Sequence, residues 1–302
     1  MSKEQLTNLP ASVRARLQQM AKRDKIDFDP LLVRYGIERL LYRLSCSPFA
    51  DRFVLKGAAL FTAWGVEPHR ITRDIDFLGF GVNTIDELET VFRAVVTTAV
   101  PPDGLEFIPE SIKGQYIRKG QNYLGVRIEG LALLERARIR LQIDVGFGDK
   151  VIPPPVSGTF PALLDFPAPE IRLYPREVSV AEKFHSLVVL GLANTRLKDY
   201  YDLWFMSQAF DFDGARLRLA LAASFAQRQT SLPAIVPMGL TAAFAQAPDK
   251  QSQWRAFSRK ARVRHQDLDL AAIVPVVGAF LMPPSQSADF EGTWSAGGPW
   301  RE

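Results

Sequence analysis

The N-terminal part of the chain carries two helical patterns of apolar positions. From Pro10 to about Lys25, apolar residues recur every three or four positions among arginines and lysines, which predicts a surface helix. A second helix is expected to begin at Asp29 and Pro30, because an N-cap residue followed by proline is typical of a helix start, and to run towards Cys46. Both helices are expected to pack on the domain that follows.

An apolar run ends at Lys56 and Gly57, and two carboxylates follow at Asp74 and Asp76. We interpret the glycine as a turn that starts a helix, whose first backbone N–H groups can bind an anion. The later segment is interpreted as a strand, in which alternation places Asp74 and Asp76 on one side. Two hard oxygen ligands beside such a helix start predict a site for a nucleoside triphosphate and Mg²⁺, or Mn²⁺ in its place.

The region from Leu105 to Phe147 alternates apolar and polar residues in short segments. Two of these segments, 125–129 and 138–146, predict an antiparallel pair of strands. Asp144 stands at the end of the second segment, in phase with its polar residues. It is therefore expected to project from the polar face of that strand.

Seven prolines lie between positions 153 and 175, where they disfavour helices and predict a domain boundary. Beyond them, four segments have helical patterns: 179–192, 197–210, 216–227 and 253–262. From Pro283 onward, proline, serine and glycine are frequent, which predicts a loose or strapped-down tail. We expect an α/β (α+β) fold, with a mixed sheet and flanking helices in residues 1–165 and a mainly helical domain in residues 166–302.

Composition narrows the class of protein. The 302 residues, 47% hydrophobic and 23% charged, are those of an ordinary globular protein that can bury a sizeable core. The 37 basic and 33 acidic residues permit a polyanionic partner without requiring one. The single cysteine excludes an intrachain disulfide and an all-cysteine metal site. Because the chain shows no signal segment and no apolar run of membrane length, we expect a cytoplasmic protein with no membrane partner.

Three carboxylates form the candidate catalytic set: the pair Asp74 and Asp76, and Asp144 on a later strand. Nucleotidyl transfer needs metal ions that bridge the triphosphate at the α-phosphorus, and a pair of carboxylates with a lone third suits that task. The third carboxylate can also accept a proton from the attacking hydroxyl. An isolated Asp-x-Asp occurs by chance in many proteins, so its combination with Gly57 is what favours a metal site.

Five motifs stand in order between positions 55 and 203: Leu55-Lys56-Gly57-Ala58, Arg70-x-Thr72-x-Asp74-Ile75-Asp76-Phe77, Ile143-Asp144-Val145-Gly146, Val180-Ala181-Glu182-Lys183-Phe184 and Arg196-x-Lys198-Asp199-Tyr200-Tyr201-Asp202-Leu203. With them the chain resembles the AbiEii/AbiGii toxin family of the nucleotidyltransferase superfamily, the toxin half of certain bacterial toxin–antitoxin and phage-defence pairs. The resemblance implies a nucleotidyltransferase-like domain and a helical domain with the active site in the cleft between them. It also implies a toxin that transfers a nucleoside monophosphate from an NTP to an RNA acceptor such as tRNA, restrained by a cognate antitoxin.

The resemblance assigns roles to the matched residues. The metal ligands would be Asp74, Asp76 and Asp144, and Asp144 would also serve as the base. Lys56, Gly57, Ala58 and Lys183 would contact the nucleotide. From their positions beside the carboxylate pair, Arg70 and Thr72 are also expected to contact it, although Arg70 is as well explained by surface charge. Where the family has a second glycine, or the wider superfamily a serine, this chain has Ala58, which keeps its backbone N–H but supplies no hydroxyl ligand.

The C-terminal motifs place charges on apolar helices. Lys183 lies on an apolar stripe, where a lysine is costly to bury unless it meets an anion; the alternative is a lysine that extends to solvent at a domain seam. Asp199 and Asp202 share one helix face. Asp202 precedes large apolar residues, so we expect it to be buried, to pair with Lys183 or Arg196, and to orient Lys183 or the nucleotide. Asp199 is as well explained by a local salt bridge.

Two other functions stay open. The same site could modify a hydroxyl of a partner protein by nucleotidylation or phosphorylation, or the chain could be a catalytically silent module that binds nucleotide or RNA. A basic stripe, expected on one strand face at Arg136, Arg138 and Arg140, could follow RNA phosphates, as could the basic cluster at 255–264. A solvated run of charge is the ordinary explanation of both.

Overall fold

The computed structural model describes residues 8–66, 70, 74–118 and 124–301. The described chain forms two compact units. The first comprises the described parts of Met1–Pro68, Thr72–Asp149 and Val156–Leu173, and the second those of His69–Ile71, Lys150–Pro155 and Tyr174–Glu302. The boundary between residues 165 and 166 stays a prediction.

The first unit contains four helices and seven strands among its described residues. The helices are α1 (Leu9–Arg23), α2 (Phe28–Ser45), α3 (Ala59–Ala63) and α4 (Ile85–Val96). The strands are β1 (Phe53–Lys56), β2 (Asp74–Gly79), β3 (Leu105–Arg118), β4 (Leu124–Leu134), β5 (Ala137–Phe147), β6 (Val156–Thr159) and β7 (Glu170–Leu173). The second helix begins at Phe28, before the expected start, with Asp27 rather than Asp29 at the N-cap position.

These strands form one mixed sheet in the order β3-β4-β5-β2-β1-β7-β6. The pairs β2–β5 and β1–β7 are parallel, and the other neighbours are antiparallel. The predicted α/β fold with a mixed sheet is therefore confirmed, as is the antiparallel pairing of β4 with β5. The short strands β6 and β7 lie within the proline-rich region, where the sequence pattern predicted none.

Helices α2 and α4 cover one face of this sheet. A Cβ atom added to Gly36 of α2 would lie 2.9 Å from the side chain of Ile139 on β5, and Gly114 of β3 is packed as closely against α4. Along β5 the residues in phase with Ile139 are buried, whereas Arg138 and Arg140 between them are exposed. The opposite face is thus solvated at Arg138 and Arg140, as is common for antiparallel sheets, whereas Asp144 further along β5 is buried.

The second unit is mainly helical, as predicted. Its helices are α5 (Arg176–Leu190), α6 (Leu197–Ala209), α7 (Gly214–Gln227), α8 (Ala242–Gln246), α9 (Pro248–Ala261) and α10 (Leu270–Gln286). A small antiparallel sheet joins β8 (Phe212–Asp213), β9 (Thr293–Trp294) and β10 (Trp300–Arg301). Nowhere in the described residues is there a helix with the length and apolar character needed to span a bilayer.

The C-terminal segment is strapped down by its tryptophans. The indole N–H of Trp294 donates to the carbonyl of Ser207 at 2.7 Å, and that of Trp300 donates to the carbonyl of Phe280 at 2.9 Å. The tail begins later than expected, because α10 continues through Pro283 into its last turn. The burial of its apolar face outweighs the loss of backbone hydrogen bonds at proline.

His185 lies where α5 packs against α7. Its ring meets Phe225 edge-on with the centroids 5.0 Å apart, and Nε2 lies 3.1 Å from the hydroxyl of Thr230. Burial lowers the pKa of His185 to about 4, and the charge of Arg228 acts in the same direction. The imidazole is therefore neutral in the folded protein at neutral pH.

We predict that His185 makes the folded protein sensitive to acid. Its pKa is about 4 when folded and about 6.5 when unfolded, so its contribution to stability is complete above pH 6.5 and is lost as the pH falls towards 4. In wild type this should cost about 1–2 kcal/mol by pH 5. Urea unfolding at several pH values should show a weaker loss in His185→Gln, whereas the matched variant of the exposed His265, His265→Gln, should behave as wild type. Equal pH dependence in wild type and His185→Gln would contradict the assignment.

Candidate functional site

Asp76 and Asp144 lie side by side on the parallel strands β2 and β5, where their Cα atoms are register partners. Partners in register point to the same face, and neighbouring strands are about 4.8 Å apart. Asp74, whose partner is Gln142, projects to that face as well. The sheet thus brings the three predicted carboxylates to one face, which is the one opposite α2 and α4.

A basic side chain flanks this pair on each side. Lys56 of β1 is the register partner of Asp76, and Arg127 of β4 is that of Asp144. Arg127 donates from Nε and Nη2 to the two oxygens of Asp144, at 2.8 and 3.0 Å. Lys56 donates to Asp149 at 2.8 Å. Four adjacent strands therefore carry a row of cation, anion, anion and cation, which we call the carboxylate row: Lys56, Asp76, Asp144 and Arg127.

The charge of Arg127 is coupled to the acidic pair. The pKa of its guanidinium is raised, chiefly by the hydrogen bond to Asp144. Burial opposes this shift, and the charges of Asp144 and Asp74 add to it. An arginine is charged at any physiological pH, so Arg127 places a permanent positive charge beside the acidic pair. Arg127 also fixes the rotamer of Asp144 through its two parallel hydrogen bonds.

Gly57 lets the carboxylate of Asp76 approach the backbone. It adopts φ +72° in the turn between β1 and α3, and a Cβ atom there would lie 2.2 Å from Oδ2 of Asp76. No residue with a side chain fits that space without moving the carboxylate. The helix expected after this turn is present but spans five residues, with Ala58 at its N-cap position.

A second charged cluster connects α5 and α6. Nζ of Lys183 lies 2.8 Å from Asp202 and 3.3 Å from Asp199, and both carboxylates are fully buried. Burial by itself would lower the pKa of the Lys183 ammonium, but the attraction of Asp202 and Asp199 outweighs it, so the pKa is raised. Lys183 is therefore charged, and its buried anions are those expected from its place on an apolar stripe.

Arg70 completes this cluster, which we call the Lys183 network. Its Nε and Nη2 donate to the two oxygens of Asp202 at 2.8 and 2.9 Å. Arg196, expected from the sequence as a possible partner of Asp202, instead lies 2.8 Å from Asp199. Asp202 thus holds two cations, Arg70 and Lys183, while Asp199 holds Lys183 and a half-exposed Arg196.

The other predicted residues differ in where they lie. Thr72, expected near the triphosphate, lies outside the described residues. The expectation that Arg136 lies on a strand with Arg138 and Arg140 was wrong, because β5 begins at Ala137 and Arg136 belongs to the preceding turn. Sequence reasoning missed Arg127 altogether. Its polar phase in the segment 125–129 was visible, but its pairing with Asp144 depends on the register of β4 against β5.

The candidate metal ligands are carboxylates. Throughout residues 8–66, 70, 74–118 and 124–301, no group of three or more histidine, cysteine, aspartate or glutamate side chains is arranged to hold a metal ion. The chemistry of the donors nonetheless fits Mg²⁺ or Mn²⁺, since carboxylate oxygens are their preferred ligands. The register of Asp76 with Asp144 also sets two such donors on neighbouring strands.

Comparison with known proteins assigns the chain to a family. The model of the family described as nucleotidyl transferase AbiEii toxin, type IV toxin–antitoxin system, matches residues 39–276, which is more than half of the chain. The chain belongs to this family. The resemblance inferred from the five motifs is thereby confirmed, and the protein is a member of the nucleotidyltransferase toxins of type IV toxin–antitoxin systems.

Two solved structures from Helicobacter pylori are also similar. JHP933 superposes with a TM-score of 0.46 at 16% identity, covering 84% of this chain and 90% of its own. A candidate nucleotidyltransferase superposes with a TM-score of 0.44 at 16% identity, covering 82% and 89%. No curated protein matched the sequence.

The contact between Gly57 and Asp76 predicts a large effect of Gly57→Ala. Gly65 is the matched control, because it also has a positive φ, of +78°, but a Cβ atom there would meet nothing within 4 Å. Gly65→Ala should cost only backbone strain, about 1 kcal/mol, whereas Gly57→Ala should cost about 1–3 kcal/mol more. If Asp76 is a metal ligand, Gly57→Ala should also weaken Mn²⁺ binding, because the Asp76 carboxylate must move. Equal unfolding free energies and equal Mn²⁺ titrations for the two variants would argue against this role of the contact.

The Lys183 network predicts unequal roles for its two aspartates. Asp202→Ala would leave Arg70 and Lys183 without their shared partner, at a cost of about 3–5 kcal/mol. Asp199→Ala should cost less, about 1–3 kcal/mol, because Lys183 keeps Asp202 and Arg196 is already 52% exposed. Urea unfolding of both variants measures this difference. A larger cost for Asp199→Ala would reverse the assignment of the central aspartate.

Proposed function

We propose that the protein is a metal-dependent enzyme that transfers a nucleoside monophosphate from an NTP to a hydroxyl group of an RNA acceptor, with tRNA as the expected acceptor. The observation that carries this proposal is the carboxylate row, in which Asp76 and Asp144 lie in register on parallel strands. The proposal is also supported by the family of nucleotidyltransferase toxins to which the chain belongs.

In this proposal Asp74, Asp76 and Asp144 hold Mg²⁺ or Mn²⁺. When bound, the cation would neutralise charge on the triphosphate and on the transition state of an in-line displacement. Asp144 accepts the proton of the acceptor hydroxyl, and the oxygen of that hydroxyl bonds to the α-phosphorus. The bond from the α-phosphorus to the bridging oxygen breaks, and pyrophosphate leaves. Arg127 keeps Asp144 in the orientation that this proton transfer requires.

We assign the contacts to nucleotide phosphates to the remaining motif residues. Lys183 offers a permanent positive charge, since its pKa is raised within its network. Asp202 is a positioning residue that holds Lys183 and Arg70 by direct ion pairs. The other nucleotide contacts of this proposal are Lys56, Gly57, Ala58, Arg70 and Thr72. At Ala58 the contact is limited to the backbone N–H group.

We further propose that a cognate antitoxin restrains the activity. A toxin that modifies RNA harms its own cell, and the family is that of type IV toxin–antitoxin systems. The antitoxin can act on the toxin itself or through the products of its reaction. Genes beside this one are the first place to look for it.

The proposal is tested by incubating the purified protein with each labelled NTP, Mg²⁺ or Mn²⁺, total bacterial RNA and total protein. We expect label in RNA. The transfer rate of Asp76→Ala should be at least about 100-fold lower, because this proposal makes Asp76 a ligand of the cation that neutralises charge on the triphosphate. Asp165→Ala, which changes an exposed loop carboxylate, is the matched control and should transfer at the wild-type rate.

Other outcomes would favour other functions. Label in protein would replace the RNA acceptor by a protein hydroxyl. No label in either, with nucleotide binding intact, would indicate a catalytically silent binding module. Transfer by Asp76→Ala at a rate near that of wild type would show that the metal assignment is wrong.

A further inference from the structure

The polar face of β5 carries a stripe of cations that leads to the carboxylate row. Arg138 and Arg140 alternate with buried residues, so both project to the face opposite α2, and both are exposed. Gln142 and Asp144 follow in the same phase. The stripe and the carboxylates therefore belong to one strand and one face.

The spacing along this strand suits a nucleic-acid backbone. At about 3.3 Å per residue, Arg138 and Arg140 are about 7 Å apart, and Arg140 is about 13 Å from Asp144. Successive phosphates of an extended single strand are separated by a similar step. Two phosphates held by the arginines would leave one or two nucleotides to reach Asp144.

The register partners of the two arginines on β4 are apolar, while the exposed acids Glu106 and Glu129 lie further out on the same face. The partners are Leu131, opposite Arg140, and Leu133, opposite Arg138. Ile108 of β3 continues the surface beside Leu131. All three apolar residues are partly exposed. Sugars and bases can lie on such a surface while phosphates meet the arginines, as in other sites for single strands.

Neither arginine is neutralised by the protein. In the described part of the chain, Arg138 and Arg140 form no ion pair and no hydrogen bond, whereas Arg127 of the next strand is committed to Asp144. Exposed Glu129 lies opposite Gln142, nearer the carboxylate row than the arginines are. The arginines thus remain available to an anionic partner, and a regular pair of cations suits a phosphodiester chain better than a peptide.

We propose that the open face of β3, β4 and β5 binds the single-stranded end of the RNA acceptor, with Arg138 and Arg140 as positioning residues that hold its phosphates and direct its terminal hydroxyl to Asp144. This inference rests on the proposed function, because it names the surface that presents the acceptor to that site. It also distinguishes the two basic clusters of the chain, because it assigns RNA binding to the arginines of β5 and not to the cluster at 255–264. The exposed residues Arg255 and Arg259 of α9 have no strand register that ties them to a carboxylate.

The experiment compares the charge-reversed variant Arg138→Glu/Arg140→Glu with wild type. The probe is a short single-stranded oligoribonucleotide labelled at its 5′ end, and its dissociation constant is measured by fluorescence anisotropy over a range of salt. We expect affinity at least about tenfold weaker, and a salt slope reduced by about 1.4, since each phosphate contact to a single strand contributes about 0.7. In the transfer assay KM for RNA should rise while KM for NTP stays unchanged.

Two variants make the comparison specific. Lys22→Glu/Lys25→Glu makes the same change in net charge at exposed positions at and just beyond the end of α1, and should keep the wild-type affinity and slope. Arg138→Gln/Arg140→Gln removes the cations without adding acids. It should lose affinity to a smaller extent, and it serves as the test if the charge-reversed variant does not fold.

The proposal is overturned if the Arg138/Arg140 variants bind the oligoribonucleotide with the affinity and salt slope of wild type. It is equally overturned if Arg255→Glu/Arg259→Glu weakens binding of the oligoribonucleotide and the Arg138/Arg140 variants do not. In both cases wild type still labels RNA, so the proposed function survives. If wild type binds no RNA and labels protein, the proposed function is wrong, and the proposed RNA-binding role of this surface is wrong as a consequence.

Discussion

The first unit is organised around the repulsion between two carboxylates held in register on neighbouring strands. Parallel pairing of β2 and β5 places Asp76 beside Asp144, where two like charges would disfavour the fold by an amount of order a few kcal/mol if nothing neutralised them. The strands on either side carry cations that offset this repulsion: Lys56 lies next to Asp76, and Arg127 lies next to Asp144. Arg127 makes two hydrogen bonds to Asp144.

Much of the local structure follows from that arrangement. The carboxylate of Asp76 occupies the space over Gly57, so the turn after β1 requires a residue without a side chain. A slip of β5 by one residue would turn Asp144 into the core and bring Ile143 or Val145 to the polar face. The buried residues that pack under α2 therefore hold the register on which the acidic site depends.

The second unit has a similar problem, because it too holds two neighbouring carboxylates that need cations. Asp199 and Asp202 are fully buried, and they are tolerated because Lys183, Arg70 and Arg196 form ion pairs with them. Asp202 is the better paired, because Arg70 donates to both of its oxygens and Lys183 lies 2.8 Å away, whereas Lys183 is 3.3 Å from Asp199. A buried ion network of this kind adds little net stability compared with apolar packing, but breaking it is costly. Its value is therefore expected to lie in the fixed position of its cations.

The sequence by itself determined the features that depend on local periodicity. Alternation placed Asp74 and Asp76 on one face and Asp144 in the polar phase of its strand, and helical spacing identified the helices that carry Lys183 and Asp202. Contacts between distant segments were decided by the tertiary structure alone. Arg127 pairs with Asp144, which lies 17 residues away in the sequence. Arg70 pairs with Asp202, which lies 132 residues away. Local pattern specifies which face a residue takes, but strand order and register depend on how the whole core packs, and no short segment contains that information.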